Sequence, residues 1–192
     1  MENTEDKNRP LRAIRSFVKR EGRLTKGQER ILAESPYLIT HDKVDELWDL
    51  DALFGRSGSP RTLEIGFGDG MSFSNMAENE PTRDFLGLEV HRPGVGRLLL
   101  DVEERDLQNI RAIDYDAVHI LKNCIPDESL ECVQVFFPDP WHKKKHNKRR
   151  IIQPEFVALI AKKLQKGGRL CLATDWEPYA EHMMEVMLAA PD

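Results

Sequence analysis

The sequence predicts an α/β domain: a mainly parallel sheet with helices on both faces. Three observations predict it. From Arg61 onward, short β-prone runs alternate with stretches of helical periodicity. A glycine loop, Gly66-Phe67-Gly68-Asp69-Gly70, stands where the first strand gives way to a helix. Acidic residues recur at the ends of successive strands, where open α/β sheets bind their ligands.

The elements follow in order. Residues 1–26 are polar and basic without clear periodicity, and residues 1–30 are expected to form a mobile basic arm ahead of a domain spanning 31–192. Gln28–Leu32 is expected to make a short helical turn before Ser35-Pro36. Val44, Leu47, Trp48, Leu50, Leu53 and Phe54 recur at near-helical spacing, which predicts an amphipathic helix ending before Gly55. The loop Gly55–Pro60 leads to a strand at Arg61–Ile65, the glycine loop, and a helix at Met71–Glu78. Strands are then predicted at Asp84–Val90, Ile110–Tyr115, Leu130–Phe137 and Arg169–Thr174. Helices are predicted at Pro93–Leu107, Ala117–Asn123, Gln153–Gln165 and Pro178–Leu188. Lys166-Gly167-Gly168 is expected to close the helix before the fifth strand, glycine suiting a left-handed cap.

Composition narrows the class. The 192 residues, 40% of them hydrophobic, suffice for one domain with a core. No apolar run approaches the roughly 20 residues that span a bilayer. Met1–Lys7 lacks the apolar stretch of a signal peptide. Cys124, Cys132 and Cys171 are an odd number, too widely spaced for a CxxC metal or redox site. A soluble, reduced, cytoplasmic protein without a metal or membrane partner is expected. The formal charge of −5 is unevenly distributed. Residues 1–30 hold nine Lys/Arg against five Asp/Glu, and 141–150 hold six Lys/Arg and no acid, which leaves −15 on the other 152 residues. An uncompensated basic block with a Trp and two His suits a polyanion, since each neutralised phosphate releases counterions.

The glycine loop points to a cationic cofactor. A dinucleotide fingerprint needs a small residue where Met71 stands, and Glu64 and Asp69 would repel a pyrophosphate. S-adenosyl-L-methionine has no phosphate, and its ammonium and sulfonium favour nearby carboxylates. On this reading Glu64, Gly66, Gly68 and Gly70 form the cofactor loop. Glu89 accepts the ribose hydroxyls, and Asp116 accepts the adenine amino group, with Asp114 a rival for that role. After the fourth strand, Pro138-Asp139-Pro140 holds an acid in a stiff segment, and Trp141 offers a surface on which a base can stack. Guanine nitrogen 7 loses no proton on methylation, so it needs alignment rather than a general base. Asp139 can position guanine by accepting its ring and exocyclic N–H groups.

These segments resemble the bacterial tRNA (guanine-N(7)-)-methyltransferase family. The likeness runs through Leu63–Gly70, Gly87–His91, Phe136–Arg150 and Ala173–Trp176, with Arg15–Ile31 similar to the family's N-terminal segment. It implies a Rossmann-like class I methyltransferase that uses S-adenosyl-L-methionine on a guanine of the tRNA variable loop, position 46. By resemblance, Glu64, Glu89, Asp116 and Asp139 contact the cofactor, and Asp139 is also the catalytic residue. Lys143 and Asp175 resemble substrate-binding positions, and Lys145, His146, Asn147, Lys148, Arg149 and Arg150 the RNA-contacting stretch. The family fold has two further strands and a Thr-x-Phe/Tyr-Glu-x-Arg/Lys motif that this chain lacks, so a C-terminally incomplete domain is expected. A monomer is expected, with a homodimer as the alternative. Two other functions stay open on the sequence: a nicotinamide-dependent oxidoreductase, and a tRNA-binding module with a vestigial cofactor pocket.

Overall fold

The computed structural model describes Ser16, Phe17 and residues 22–190. Most of the predicted arm therefore lies outside the described residues. Its last part does not behave as an arm, because helix α1 (Lys26–Glu34) begins within it. Thr25 and Gln28 close a reciprocal capping box at its start, and the Gln28 side-chain amide donates to the Pro93 carbonyl at 3.0 Å.

The predicted helix over 44–54 is not continuous. His41–Lys43 forms a 3-10 turn, and helix α2 covers only Leu50–Phe54, capped by the Asp49 side chain. Between them the backbone makes tertiary bonds instead. Trp48 N–H donates to the Cys124 carbonyl at 2.8 Å, and its indole N–H to the Lys43 carbonyl at 2.8 Å. Leu47, placed on the apolar face by spacing, is 67% exposed.

From there the alternation holds. It runs β1 (Arg61–Ile65), α3 (Met71–Asn79), β2 (Asp84–Leu88), α4 (Arg92–Glu104), β3 (Ile110–Ile113), α5 (Ala117–Asn123) and β4 (Leu130–Phe136). A 3-10 segment (Lys144–Arg149) precedes α6 (Pro154–Lys163), β5 (Leu164–Ala173) and α7 (Glu177–Leu188). The strands are all parallel, in the order β3-β2-β1-β4-β5, the doubly wound arrangement. Successive β2 residues divide between two core clusters: Phe85 belongs to the one that includes Phe73, Val95 and Leu99 of α3 and α4, and Leu86 to the one that includes Ile120 and Val157 of α5 and α6. The outer edge of β3 is paired by the segment before the 3-10 turn, through Ile39 N–H to the Ala112 carbonyl at 2.8 Å and Ala112 N–H to the Tyr37 carbonyl at 3.0 Å.

One boundary differs in kind. The helix expected to run to Gln165 stops at Lys163, and Leu164 already pairs with Leu130 as strand. Gly167, at φ 81, is not a helix cap but lies in the irregular stretch between the pairs Leu130–Leu164 and Cys132–Arg169. Among the described residues no helix is long and apolar enough to cross a membrane.

Candidate active site

All five strands point their carboxyl ends the same way, so the loops after them converge at one edge of the sheet. A cavity of about 210 Å³ opens there, lined by Gly66, Glu89, Tyr115, Phe137 and Asp139. The structure thus brings together residues from the ends of β1, β2 and β4.

The glycine loop is held open by its backbone. Gly66 and Gly68 sit at φ 80 and 64, where side-chain-bearing residues are strained, and a Cβ on either would meet nothing within 4 Å. Gly94, on the first turn of α4, lets that helix approach the loop: a Cβ there would fall 2.0 Å from the Gly68 carbonyl oxygen. Glu89 ties the loop to the end of β2. Its Oε2 accepts from Gly68 N–H at 3.0 Å, and its Oε1 from Val90 and His91 N–H at 2.7 and 2.9 Å. Oε2 keeps room for a further donor.

Glu64 lies in β1, two residues before Gly66, 4% exposed and not itself lining the cavity. Its Oε2 has no hydrogen-bond partner, and burial pushes its carboxyl up to about 7. A buried, unpartnered carboxylate beside an open glycine loop suits a ligand that brings a cation. This orphaned oxygen fits the ammonium of S-adenosyl-L-methionine and does not fit a pyrophosphate.

The two rival acids differ in burial and in their partners. Asp114 is buried and engaged by His41 Nε2 at 2.7 Å and Arg92 Nε at 3.2 Å. Asp116 caps α5, with Oδ1 accepting from Val118 N–H at 2.9 Å, and remains half-exposed. It does not line the first cavity but a larger neighbouring one of about 320 Å³, which Asp114 also lines, and Tyr115 forms part of the wall of both. Tyr115, expected as the last residue of the third strand, lies beyond it, since β3 ends at Ile113.

The loop after β4 is a rigid platform. Two non-glycine residues with left-handed backbone, Phe137 at φ 49 and Trp141 at φ 46, bracket Pro138-Asp139-Pro140. Phe137 N–H still donates to the Ala173 carbonyl at 2.9 Å, so the platform starts from a paired strand end. Asp139 is exposed and lines the cavity. Trp141 is not the free stacking surface expected for it. Its indole N–H donates to the Ser16 carbonyl at 3.0 Å, and the Arg149 guanidinium lies 4.6 Å from its ring centre.

The basic segment divides by exposure. Lys143, Lys144, Lys145 and Lys148 are exposed, while His146 and Asn147 are half-buried. Partial burial, with Lys145, Arg149, Lys143 and Lys148 around it, holds the His146 imidazole below the ordinary histidine range. Arg150, expected among the RNA contacts, is instead 5% exposed. Its Nε donates to the Pro140 carbonyl at 2.9 Å and Nη1 to the Pro178 carbonyl at 3.2 Å, over the Tyr179 ring. It fastens the platform to α7. Asp175 is exposed on the loop after β5 and does not line the cavity. Edge-to-face contact of His142 with Trp176, at 4.4 Å between ring centres, joins that loop to the basic segment.

A doubly wound parallel sheet, a phosphate-averse glycine loop and acids at successive strand ends define a class I methyltransferase. Residues 58–192 match a family model described as "Putative methyltransferase". The chain is 56% identical over 185 residues to the tRNA (guanine-N(7)-)-methyltransferase of Idiomarina loihiensis, covering 94% of this chain and 74% of that one. It is 55% identical over 183 residues to the protein of the same name from Escherichia coli K12, covering 95% and 76%. The precorrin-6y C5,15-methyltransferase of Geobacter metallireducens shares the fold, with a TM-score of 0.55 at 14% identity over 68% of this chain and 61% of that one. The chain belongs to the tRNA (guanine-N(7)-)-methyltransferase family.

Proposed function

We propose that this protein transfers the methyl group of S-adenosyl-L-methionine to nitrogen 7 of a guanine in tRNA, at position 46 of the variable loop. Family membership supports the reaction, and the orphaned Glu64 oxygen beneath the glycine loop is the observation in the site that carries the reading. When bound, the cofactor supplies an electrophilic methyl group on a sulfonium.

The chain's own residues do the rest. Glu64 receives the ammonium, and the Gly66–Gly70 backbone leaves room for the cofactor's approach. Glu89 would accept a ribose hydroxyl, and Asp116 would accept from the adenine amino group. Asp139 accepts the ring and exocyclic N–H groups of the target guanine and fixes it for in-line attack by nitrogen 7. No proton has to be removed. As positive charge develops on the purine, the same carboxylate stabilises it. Lys143, Lys144, Lys145 and Lys148 take tRNA phosphates, and Asp175 approaches the substrate from the loop after β5. The protein works on tRNA in the cytoplasm, as a monomer.

The test is methyl transfer from labelled cofactor to a tRNA transcript, against a transcript with that guanine replaced by adenine. Label on the first alone is expected. Equal label on both would refute the target, and no label on either would favour a binding module. An oxidoreductase is opposed by Met71 and Glu64, and tight NAD binding would revive it.

A further inference from the structure

Phe137 is stretched in two ways that folding does not repay. It is a bulky residue held at φ 49, and the residue after it is a proline, which itself disfavours helical backbone at the preceding position. Its ring is 67% exposed, so the unfavourable backbone is not offset by burial. An extended continuation of β4 would avoid the strain. Strain retained beside a cavity is a sign of function rather than of packing.

What the conformation does achieve is placement. The ring stands at the mouth of the cavity that holds Glu89 and Asp139, two residues before Asp139 in the same rigid loop. Two neighbouring aromatics are already engaged: Trp141 with the Ser16 carbonyl and Arg149, and Trp176 with His142. A flat apolar face and a carboxylate offered together suit a planar ligand with N–H groups along one edge. A purine base has that shape and chemistry, and bases unstacked from an RNA chain are taken up on aromatic faces.

We infer that Phe137 stacks on the methyl-accepting guanine and orients its plane, while Asp139 holds its edge. This rests on the proposed reaction and assigns a residue that the family likeness did not. The left-handed backbone then fixes the angle between ring and carboxylate, which a flexible loop would leave free.

The experiment is a double-mutant cycle in the full chain. Binding of two tRNA transcripts, one with the target guanine and one abasic at that position, is measured for wild type, Phe137→Ala and Phe137→Tyr. Phe137→Ala should weaken binding of the guanine transcript by about tenfold and scarcely affect the abasic one. Phe137→Tyr should restore it. Equal losses on the two transcripts, or no recovery with tyrosine, would overturn the assignment and leave a structural role. Wild type that binds both transcripts equally and methylates neither would instead bring down the proposed reaction.

Discussion

The Glu64 carboxyl is a side chain that works against the fold. Its charged form is unwelcome without a partner, so the folded protein holds its proton to about pH 7, against an ordinary carboxyl value near 4.5. In that window the folded state binds more protons than the unfolded one, so stability of the ligand-free protein falls as pH rises from about 4.5 through about 7. Cofactor affinity should move the opposite way, rising through about pH 7 as Glu64 becomes able to meet a cation without first giving up a proton. Glu64→Gln should raise Tm at pH 8 and flatten both dependences. It should also weaken S-adenosylhomocysteine binding by about ten- to a hundredfold, the range of a charge-assisted hydrogen bond. Calorimetry and thermal melts across pH check both signs. A wild-type affinity that does not change between pH 6 and 8 would remove Glu64 from the ammonium site. Arg150 is the complementary case, a basic residue that serves the fold. Arg150→Ala should cost about 3 kcal/mol in denaturant unfolding, because two carbonyls and a ring lose their partner. The salt slope of tRNA binding should stay unchanged, and a fall in that slope would return Arg150 to the RNA contacts.

At the scale of elements, the segment from Lys143 to Arg149 is shaped to display charge. A 3-10 turn anchored at one end by Arg149 on Trp141, and followed by buried Arg150, turns its lysines outward. Replacing Lys143, Lys144 and Lys145 by alanine should lower the slope of log K against log salt for tRNA by about two to three, at roughly 0.7 to 0.9 for each phosphate no longer neutralised. A slope equal to wild type would mean these lysines face only solvent. The basic character of this run is plain in the sequence, but which of its residues point outward is not, since Arg150 is held by Pro140 and Pro178 in a way that spacing cannot reveal. The same distinction explains the two misread elements. Val44 and Trp48 do reach the core, as their spacing suggests, but from a loop in which Trp48 N–H bonds to Cys124, and only Phe54 reaches it from a helix. Leu164 continues the apolar period of α6 and equally suits a strand facing Leu130, and the sheet takes it. At Gly66, Glu89 and Asp139, which follow strand ends, position in the chain already gives position at the cavity, whereas Asp116 and Asp175 also follow strands and do not line it.

Across the whole molecule, the sheet order puts every strand-end loop on one rim. It therefore sets the cavity lined by Glu89 and Asp139 beside the loop that leads into the basic segment Lys143–Arg149. The net charge of −5 hides a −15 body beside two basic segments, 1–30 and 141–150, an uneven distribution that would orient an approaching polyanion before the two touch. The α4 glycine gives this arrangement a dimension. Gly94 meets the Gly68 carbonyl where a single methyl group would overlap it, so the floor of the cofactor loop is set by an atom that is missing. Gly94→Ala should leave the circular dichroism spectrum intact yet cut S-adenosylhomocysteine affinity by about tenfold or more, the loop having been pushed from its seat. Undiminished affinity would mean the loop yields freely. The helix thus acts as a caliper, and its closed jaw sets the gap into which a cofactor must fit.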